Sequence, residues 1–130
     1  MKFSIAIYGG PNDSQAPLSA LHFAKAVLSS GHTLYRVFFY NEAVVVANEL
    51  MVAPQDELNL NQAWSEFSKN HDIDLVVCIA SALRRGMLNE SEANRYEKNN
   101  HNISPAFTVS GLGQLIDAGI QSDRLVSFGN

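Results

Sequence analysis

The sequence contains one cysteine, Cys78, among 130 residues. A single thiol cannot form a disulfide within the chain. Alone, it also cannot build a cysteine-only zinc site or hold an iron–sulfur cluster. The cysteine count therefore excludes a disulfide-stapled secreted scaffold and fits a reducing compartment.

The sequence also lacks an excess of positive charge and any long apolar run. Nine Lys and Arg residues stand against 13 Asp and Glu residues, for a formal net charge of −4, so tight electrostatic binding to bare nucleic acid is not expected. The apolar stretches at residues 3–8 and 75–83 are too short for a signal-peptide core and a membrane span, respectively. With 46% apolar and 17% charged residues, the composition is that of a folded chain. We expect one soluble, cytoplasmic domain over residues 1–130 with no membrane partner.

Short apolar runs alternate with helical patterns along the chain. Branched and aromatic content predicts strands at residues 2–8, 34–40, 74–79, 107–109 and 124–128. Apolar spacing predicts helices or helical patches at residues 16–30, 41–51, 60–67, 80–85, from Asn89 onward and from Leu112 onward. This alternation is typical of an α/β fold with an open, mostly parallel sheet of about five strands and helices on both faces.

Capping residues place the ends of several of these helices. Asn41 is a suitable cap for the helix predicted at residues 41–51, and Asn59 is positioned to cap the helix at residues 60–67. Asn89 is followed three residues later by Glu92, which indicates a capping box. Gly31 and Gly119 are predicted to end the helices that precede them.

Three loops follow predicted strands at the edge where such sheets bind ligands, namely residues 9–15, 78–85 and 110–113. The first loop lacks both Gly-x-Gly-x-x-Gly and Gly-Lys-Ser/Thr. It could present backbone amides to an anion, although a strand-to-helix turn that needs glycine explains it more simply. The third loop, Ser110-Gly111-Leu112-Gly113, resembles half of a dinucleotide motif but leaves too little chain for the usual acidic ribose ligand. Its glycines more simply let the turn pass close to a neighbouring loop.

The other polar residues give weaker signals. The four histidines are scattered over separate elements without a His-x-x-x-His pair, so no metal site is expected. Asp72 and Asp74 lie on either side of Ile73 at the start of a predicted strand. A solvated strand entry explains them better than a pair of general acid and base.

Cys78 comes at the carboxyl end of a predicted inner strand and directly before a helix. Unpaired amides at the helix start favour a thiolate, and Arg84 and Arg85 could add positive potential if the turn folds back. Such a thiolate could attack sulfur or carbonyl centres, but no His–Asn or His–Asp partner is recognisable to support acyl transfer. Sulfur transfer through a persulfide needs only one accessible thiol. The residues alone favour an inert core cysteine over a reactive one.

Four segments of the sequence resemble the DsrE-like sulfur-carrier family. They are residues 3–15; Val37-Phe38-Phe39-Tyr40 with Glu42 and Ala47-Asn48; Cys78-Ile79-Ala80-Ser81-Ala82-Leu83-Arg84-Arg85-Gly86; and Phe107-Thr108-Val109-Ser110-Gly111-Leu112-Gly113. The closing Asp123-Arg124-Leu125-Val126 also fits, whereas Ala43 and Asn12-Asp13 depart from the pattern. The resemblance covers nearly the whole chain in order and spacing, and the cysteine–arginine segment is its most specific part.

The resemblance implies a flavodoxin-like three-layer α/β/α domain that assembles with homologous TusB-like and TusC-like subunits into a heterohexamer. It implies that Cys78 accepts sulfane sulfur as a persulfide from a TusA-like donor and passes it to a TusE-like acceptor. The sulfur would end in 2-thiouridine at the wobble position of transfer RNA, without direct contact between this protein and the RNA. Only Cys78 is carried over as catalytic, and no cofactor or metal is expected.

Two rival hypotheses are a non-catalytic assembly subunit and a small nucleotide- or flavin-binding module of the same fold class.

Overall fold

The computed structural model describes all 130 residues as five strands, five α-helices and one 3-10 helix. The strands are β1 Lys2–Ile7, β2 Thr33–Phe39, β3 Asp74–Cys78, β4 Phe107–Ser110 and β5 Arg124–Phe128. The α-helices are α1 Ala16–Ser29, α2 Leu60–His71, α3 Ile79–Arg84, α4 Glu90–Arg95 and α5 Gly113–Gln121, and the 3-10 helix covers Asn41–Ala47. Every predicted strand is present within one residue at either end. No helix combines the length and the apolar character that crossing a bilayer requires.

The strands form one fully parallel sheet in the order β4-β3-β2-β1-β5. The connections from β1 to β2, β3 and β4 all step in one direction, whereas the connection from β4 to β5 returns to the far side of β1. Because parallel crossovers are right-handed, reversing the direction moves the connecting helix to the opposite face. Helices α1, α2 and α3 therefore lie on one face and α5 lies on the other. This is the predicted flavodoxin-like three-layer arrangement.

One face of the sheet, here called the packed face, carries the main core of 23 buried residues. It is built from alternate strand residues together with α1, α2 and the 3-10 helix, since strand side chains point to opposite faces in turn. Trp64 lies at its centre, fully buried, with edge-to-face contacts to Phe39 and Phe67 at ring-centroid distances of 5.4 and 5.8 Å. Its indole Nε1 donates a hydrogen bond to the Pro17 carbonyl oxygen at 3.2 Å, so the buried polar atom is satisfied.

The opposite face, here called the α5 face, has a much smaller apolar cluster. Phe38, Val76 and Cys78 form it, and the half-buried Tyr40 and Leu115 pack against it. The rest of the contact between this face and α5 includes charged groups, described with the site below. The two faces therefore differ sharply in how much apolar packing holds them.

The helix ends agree with the predicted caps in part. The Asn59 and Asn89 side chains accept hydrogen bonds from the backbone N–H groups of residues 62 and 92 at 3.1 and 2.8 Å, which confirms both caps. Gly31 adopts a φ of 84° just beyond the end of α1, as predicted. The reciprocal half of the capping box is absent, because Glu92 keeps its Oε2 buried without a partner.

Two predicted boundaries are wrong. The element predicted as a helix over residues 41–51 is a 3-10 helix that ends at Ala47, and Asn41 lies inside it with a φ of 51° and does not cap it. Its three successive valines disfavour a longer α-helix, because branched side chains are restricted against the preceding turn. Gly119 does not end α5, which continues to Gln121 with the Ser122 N–H bonded to the Ala118 carbonyl.

Candidate functional site

Cys78 lies where two neighbouring strands send the chain to opposite faces of the sheet. After β3 the chain enters α3, whose Ala82 belongs to the core of the packed face. After β4 it enters α5, whose Leu115 packs on the α5 face. In open α/β sheets a crevice forms at the carboxyl ends of such a pair of strands. Cys78 is the last residue of β3, and its register partner Ser110 is the last residue of β4, so both lie at this switch point.

The residues that end the strands form a row across the α5 face. The register pairs Cys78 directly with Ser110. The other registers end at the pairs Ile7–Phe39, Phe39–Val77 and Ile7–Phe128. The next residue along each strand therefore extends the same row. We call these five residues the terminal row: Ser110, Cys78, Tyr40, Tyr8 and Gly129. The rings of Tyr8 and Tyr40 lie 5.6 Å apart between centroids, as this order requires.

Gly129 is fitted to the ring beside it. A Cβ atom added at Gly129 would overlap the Tyr8 ring, so only glycine allows the phenol to lie flat across the end of β5. The glycine therefore fixes one end of the terminal row.

The Cys78 thiol is shielded from solvent in the isolated chain, with only 4% of the residue exposed. Phe38 and Val76 lie beside it on the sheet, and Tyr40 and Leu115 pack over this cluster. A reaction partner therefore reaches the sulfur only when the layer formed by Tyr40 and α5 gives way.

The two arginines of the cysteine–arginine segment differ in their contacts. Arg85 pairs with Glu42 at 2.8 Å and donates to the Ser81 carbonyl oxygen at 3.0 Å, which ties α3 to the 3-10 helix. Arg84 is exposed and helps to line a cleft of about 550 Å³ beside Tyr96, and the residues around that cleft do not include Cys78. The expectation that both arginines add positive potential at the thiol is therefore not supported.

The glycines of the other two loops have different surroundings. A Cβ atom at Gly9 would lie 2.6 Å from Ser14 Oγ, and one at Gly10 would lie 2.9 Å from Glu42 Cβ, so the first loop needs glycine for close packing. Gly111 and Gly113 face open space, so the expected close approach to a neighbouring loop is wrong for the third loop.

The histidines and the two aspartates stay apart. The structure gathers no group of three or more His, Cys, Asp and Glu side chains that could hold a metal ion. Asp72 ends α2 in a left-handed conformation with a φ of 54°, whereas Asp74 accepts a hydrogen bond from Arg36 Nε at 2.7 Å. The two carboxylates are therefore not a catalytic pair, and one of them belongs to a network that the sequence analysis missed.

That network holds α5 against the sheet. Arg36, 9% exposed, donates to Asp74, to the Asp117 carboxylate at 2.9 Å and to the Gln114 carbonyl oxygen at 2.8 Å, while the Tyr35 hydroxyl donates to Asp117 at 2.7 Å. An extra residue in β2 shifts its register against β1 here, so Tyr35 and Arg36, although consecutive, both reach Asp117. A charged residue in an otherwise apolar strand was the one sequence signal for this network.

The network shifts the pKa values of its members. The hydrogen bond from Tyr35, and then that from Arg36, lowers the pKa of Asp117 below its ordinary 3.8. The same bond to Asp117 is the main cause that raises the pKa of Tyr35 above 10.0. Burial lowers the pKa of Arg36, but its bonds to Asp74 and Asp117 outweigh this and leave the pKa raised. The fold therefore stabilises the charged forms of Arg36 and Asp117.

The fold defines the class of protein first. The YchN protein of E. coli, a solved structure, superposes with a TM-score of 0.73 over 98% of this chain and 99% of its own, at 18% identity. At that identity the likeness establishes the shared flavodoxin-like α/β fold and nothing about activity.

Sequence comparison then defines the family. Residues 1–128 match the DsrE/DsrF-like family. The chain is 48% identical to a protein of Allochromatium vinosum that is named DsrE and described as a candidate sulfurtransferase. The alignment covers the full length of both chains. It is 46% identical to a sulfurtransferase TusD homolog of Pseudomonas aeruginosa and 44% identical to the sulfurtransferase TusD of Salmonella dublin, covering at least 98% of each chain. The protein belongs to the DsrE/DsrF-like family, so the resemblance of its motifs to that family, TusD members included, is confirmed.

Proposed function

We propose that the protein is a sulfurtransferase that carries sulfane sulfur as a persulfide on Cys78. The observation that carries this proposal is the position of the only thiol at the topological switch point, in a chain 44–48% identical to relatives named as sulfurtransferases or candidates for that activity. A persulfide relay needs one nucleophilic sulfur and no second cysteine in the same chain.

The transfer consists of two balanced exchanges. In the first, the Cys78 thiolate attacks the terminal sulfur of a donor persulfide, a new S–S bond forms, the donor S–S bond breaks and the donor leaves as a thiolate. In the second, an acceptor thiolate attacks the terminal sulfur on Cys78, and Cys78 is released as a thiolate. Neither step needs an external oxidant or reductant.

We assign the donor and the acceptor to small carrier proteins of the TusA-like and TusE-like kinds, with 2-thiouridine in transfer RNA as the destination of the sulfur. The net charge of −4 supports contact with carrier proteins in preference to direct contact with RNA. Burial of the thiol supports transfer between docked proteins, because a docked partner can displace the layer over Cys78 that excludes solvent. The proposed setting is the cytoplasm, with residues 1–130 acting as one domain.

A proposed assembly with TusB-like and TusC-like subunits into a heterohexamer is supported by the outer surface of α5. Leu112, Ile116 and Ile120 are spaced four residues apart and are 55%, 64% and 74% exposed. Aligned apolar side chains of this size on a surface mark contact sites between proteins.

Mass spectrometry after incubation with a persulfurated donor protein tests the sulfur-carrier role. The wild-type protein is expected to gain one sulfur atom, and Cys78→Ser is expected to gain none while keeping its circular dichroism. A serine variant that still passes sulfur to an acceptor would show that the proposed mechanism is wrong.

Co-expression with the two homologous subunits tests the assembly. Ile116→Asp is expected to reduce the yield of the complex, since it places a charge in the apolar stripe of α5. The matched control is Val52→Asp, which changes a residue that is 87% exposed but lies outside that stripe. A wild-type chain that remains monomeric beside both subunits would refute the assembly, and equal yields from the two variants would exclude α5 as the contact surface.

A second candidate, the non-catalytic assembly subunit, is favoured by the same burial of Cys78. It predicts that Cys78 takes up no sulfur even within the assembled complex. The mass measurement described above, repeated on the complex, separates the two functions.

A further inference from the structure

We propose that the hydroxyl groups of Tyr40 and Ser110 donate hydrogen bonds to the terminal sulfur of the Cys78 persulfide. The inference rests on the proposed function and identifies the two residues that hold the transferred atom. Both belong to the terminal row and flank Cys78, one on each side.

The sheet places the three side chains together. Ser110 is the register partner of Cys78, and Tyr40 follows the last paired residue of β2, which brings it beside Cys78 on the other side. Neighbouring strands lie about 4.8 Å apart, and side chains at paired positions point to the same face. The added sulfur extends about 2 Å beyond the cysteine sulfur. It therefore enters the space between a serine hydroxyl and a longer phenol side chain.

The two hydroxyl groups are free to make these bonds. Neither Tyr40 Oη nor Ser110 Oγ forms a hydrogen bond with another group of the chain, whereas some other serine hydroxyls, such as those of Ser81 and Ser104, do. Burial, and then the neighbouring Tyr8, raises the pKa of Tyr40 above 10.0. The phenol therefore keeps its proton at neutral pH and remains a donor.

The chemistry of the exchange needs donors at this point. When the donor S–S bond breaks, the donor leaves as a thiolate and the new Cys78 persulfide carries its negative charge on the terminal sulfur. Phe38, Val76 and Leu115 make the surroundings apolar, and a charge in such surroundings is costly without hydrogen bonds. Hydroxyl donors offset that cost, and losing one hydrogen bond to a charged group is expected to lower the equilibrium constant of the exchange by about ten- to a hundredfold.

The test measures the equilibrium of sulfur exchange between glutathione persulfide and Cys78 of the full-length protein. The ratio of glutathione persulfide to glutathione is held fixed. Intact-protein mass spectrometry gives the fraction of Cys78 that carries the extra sulfur. Tyr40→Phe keeps the ring and removes only the hydroxyl, and Ser110→Ala does the same for the other donor. Tyr8→Phe is the matched control, because it removes a phenol hydroxyl from the same row one strand further from the thiol. Alkylation of the unloaded thiol by iodoacetamide reports any change in packing.

We expect Tyr40→Phe to lower the equilibrium constant of the exchange by about tenfold or more, and Ser110→Ala to lower it as well. Tyr8→Phe is expected to match the wild type, and the alkylation rates of all the variants are expected to be unchanged. The proposal is overturned if Tyr40→Phe matches the wild type, if Tyr8→Phe falls equally, or if alkylation changes in parallel with exchange, which would assign Tyr40 a packing role. If wild-type Cys78 takes up no sulfur, the proposed function itself fails and this inference fails with it.

Discussion

The two faces of the sheet are built from alternating residues of the same strands, yet they differ in composition and in contacts. The core of the packed face has 23 buried residues from the sheet and its helices, whereas the apolar cluster of the α5 face has three. On the α5 face, an ion-pair network and one amphipathic helix replace most of the apolar contact. The only thiol, the terminal row and the exposed stripe of α5 all lie on this less densely packed side.

Under the proposed function, this difference separates the residues that stabilise the fold from the thiol that reacts. Tightly packed cores tolerate little movement, and the segments that open to admit partners come from regions with fewer buried apolar contacts. A thiol on the packed face would require much of the core to open. On the α5 face, only Tyr40 and one nine-residue helix cover it.

The largest expected effect comes from truncating two consecutive phenylalanines that point to opposite faces. Phe38 and Phe39 are both fully buried, but Phe39 makes edge-to-face contacts with Trp64 and Phe107, whereas Phe38 has one tilted contact with the half-buried Tyr40. We expect Phe39→Ala to lower the free energy of unfolding by about 3–5 kcal/mol. Phe38→Ala is expected to cost about 1–2 kcal/mol less, because fewer aromatic pairs are lost and α5 can settle into the space.

Urea unfolding of both variants, followed by circular dichroism, measures this difference. If Phe38→Ala and Phe39→Ala lose equal stability, the two faces contribute equally to the free energy of unfolding, and the comparison between them fails.

A smaller effect is expected when the cover over Cys78 is trimmed. Leu115 is half-buried over the thiol cluster, so Leu115→Ala should weaken the closure of α5 by about 1–1.5 kcal/mol. If opening of α5 limits access, the alkylation rate of Cys78 should rise roughly tenfold. The control is Ile116→Ala, the next residue along the helix, which is 64% exposed and should leave the rate unchanged. Equal rates in the two variants would mean that access to the thiol does not depend on α5.

The smallest expected effect concerns acid stability. Because the fold lowers the pKa of Asp117, its charged form stabilises the protein above about pH 4, and this contribution is lost as the pH falls through the lowered value. We expect the melting temperature of Asp117→Asn to fall less between pH 7 and pH 3 than that of the wild type. Tyr35→Phe removes one donor to Asp117 and should give an intermediate change. If the melting temperature of Asp117→Asn falls as much between pH 7 and pH 3 as that of the wild type, the network does not contribute to acid stability.

Local patterns predicted the elements well because their causes lie within a few residues. The strand limits, the Asn59 and Asn89 caps and the turn at Gly31 depend on periodicity, on a side chain three residues from its partner, or on one backbone angle. The prediction that Gly119 ends α5 was wrong, because the hydrogen bonds of the helix continue to the Ser122 N–H.

The site was predictable only in part. The position of Cys78 at a strand end was evident from sequence. The role of Arg85 was not, because its partner Glu42 is 43 residues away and neutralises a charge that was expected to act on the thiol. The bond between Tyr35 and Asp117 spans 82 residues, and no local pattern indicates a contact at that separation.

The sequence by itself determined the alternation of strands and helices, the family and the location of the only thiol at the end of a buried strand. The tertiary structure alone decided the strand order, the placement of α5 on the opposite face and the row that sets Tyr40 and Ser110 on either side of Cys78. The physical reason is that helix and strand formation depends on nearby residues, whereas strand neighbours are chosen by crossovers and packing between distant segments.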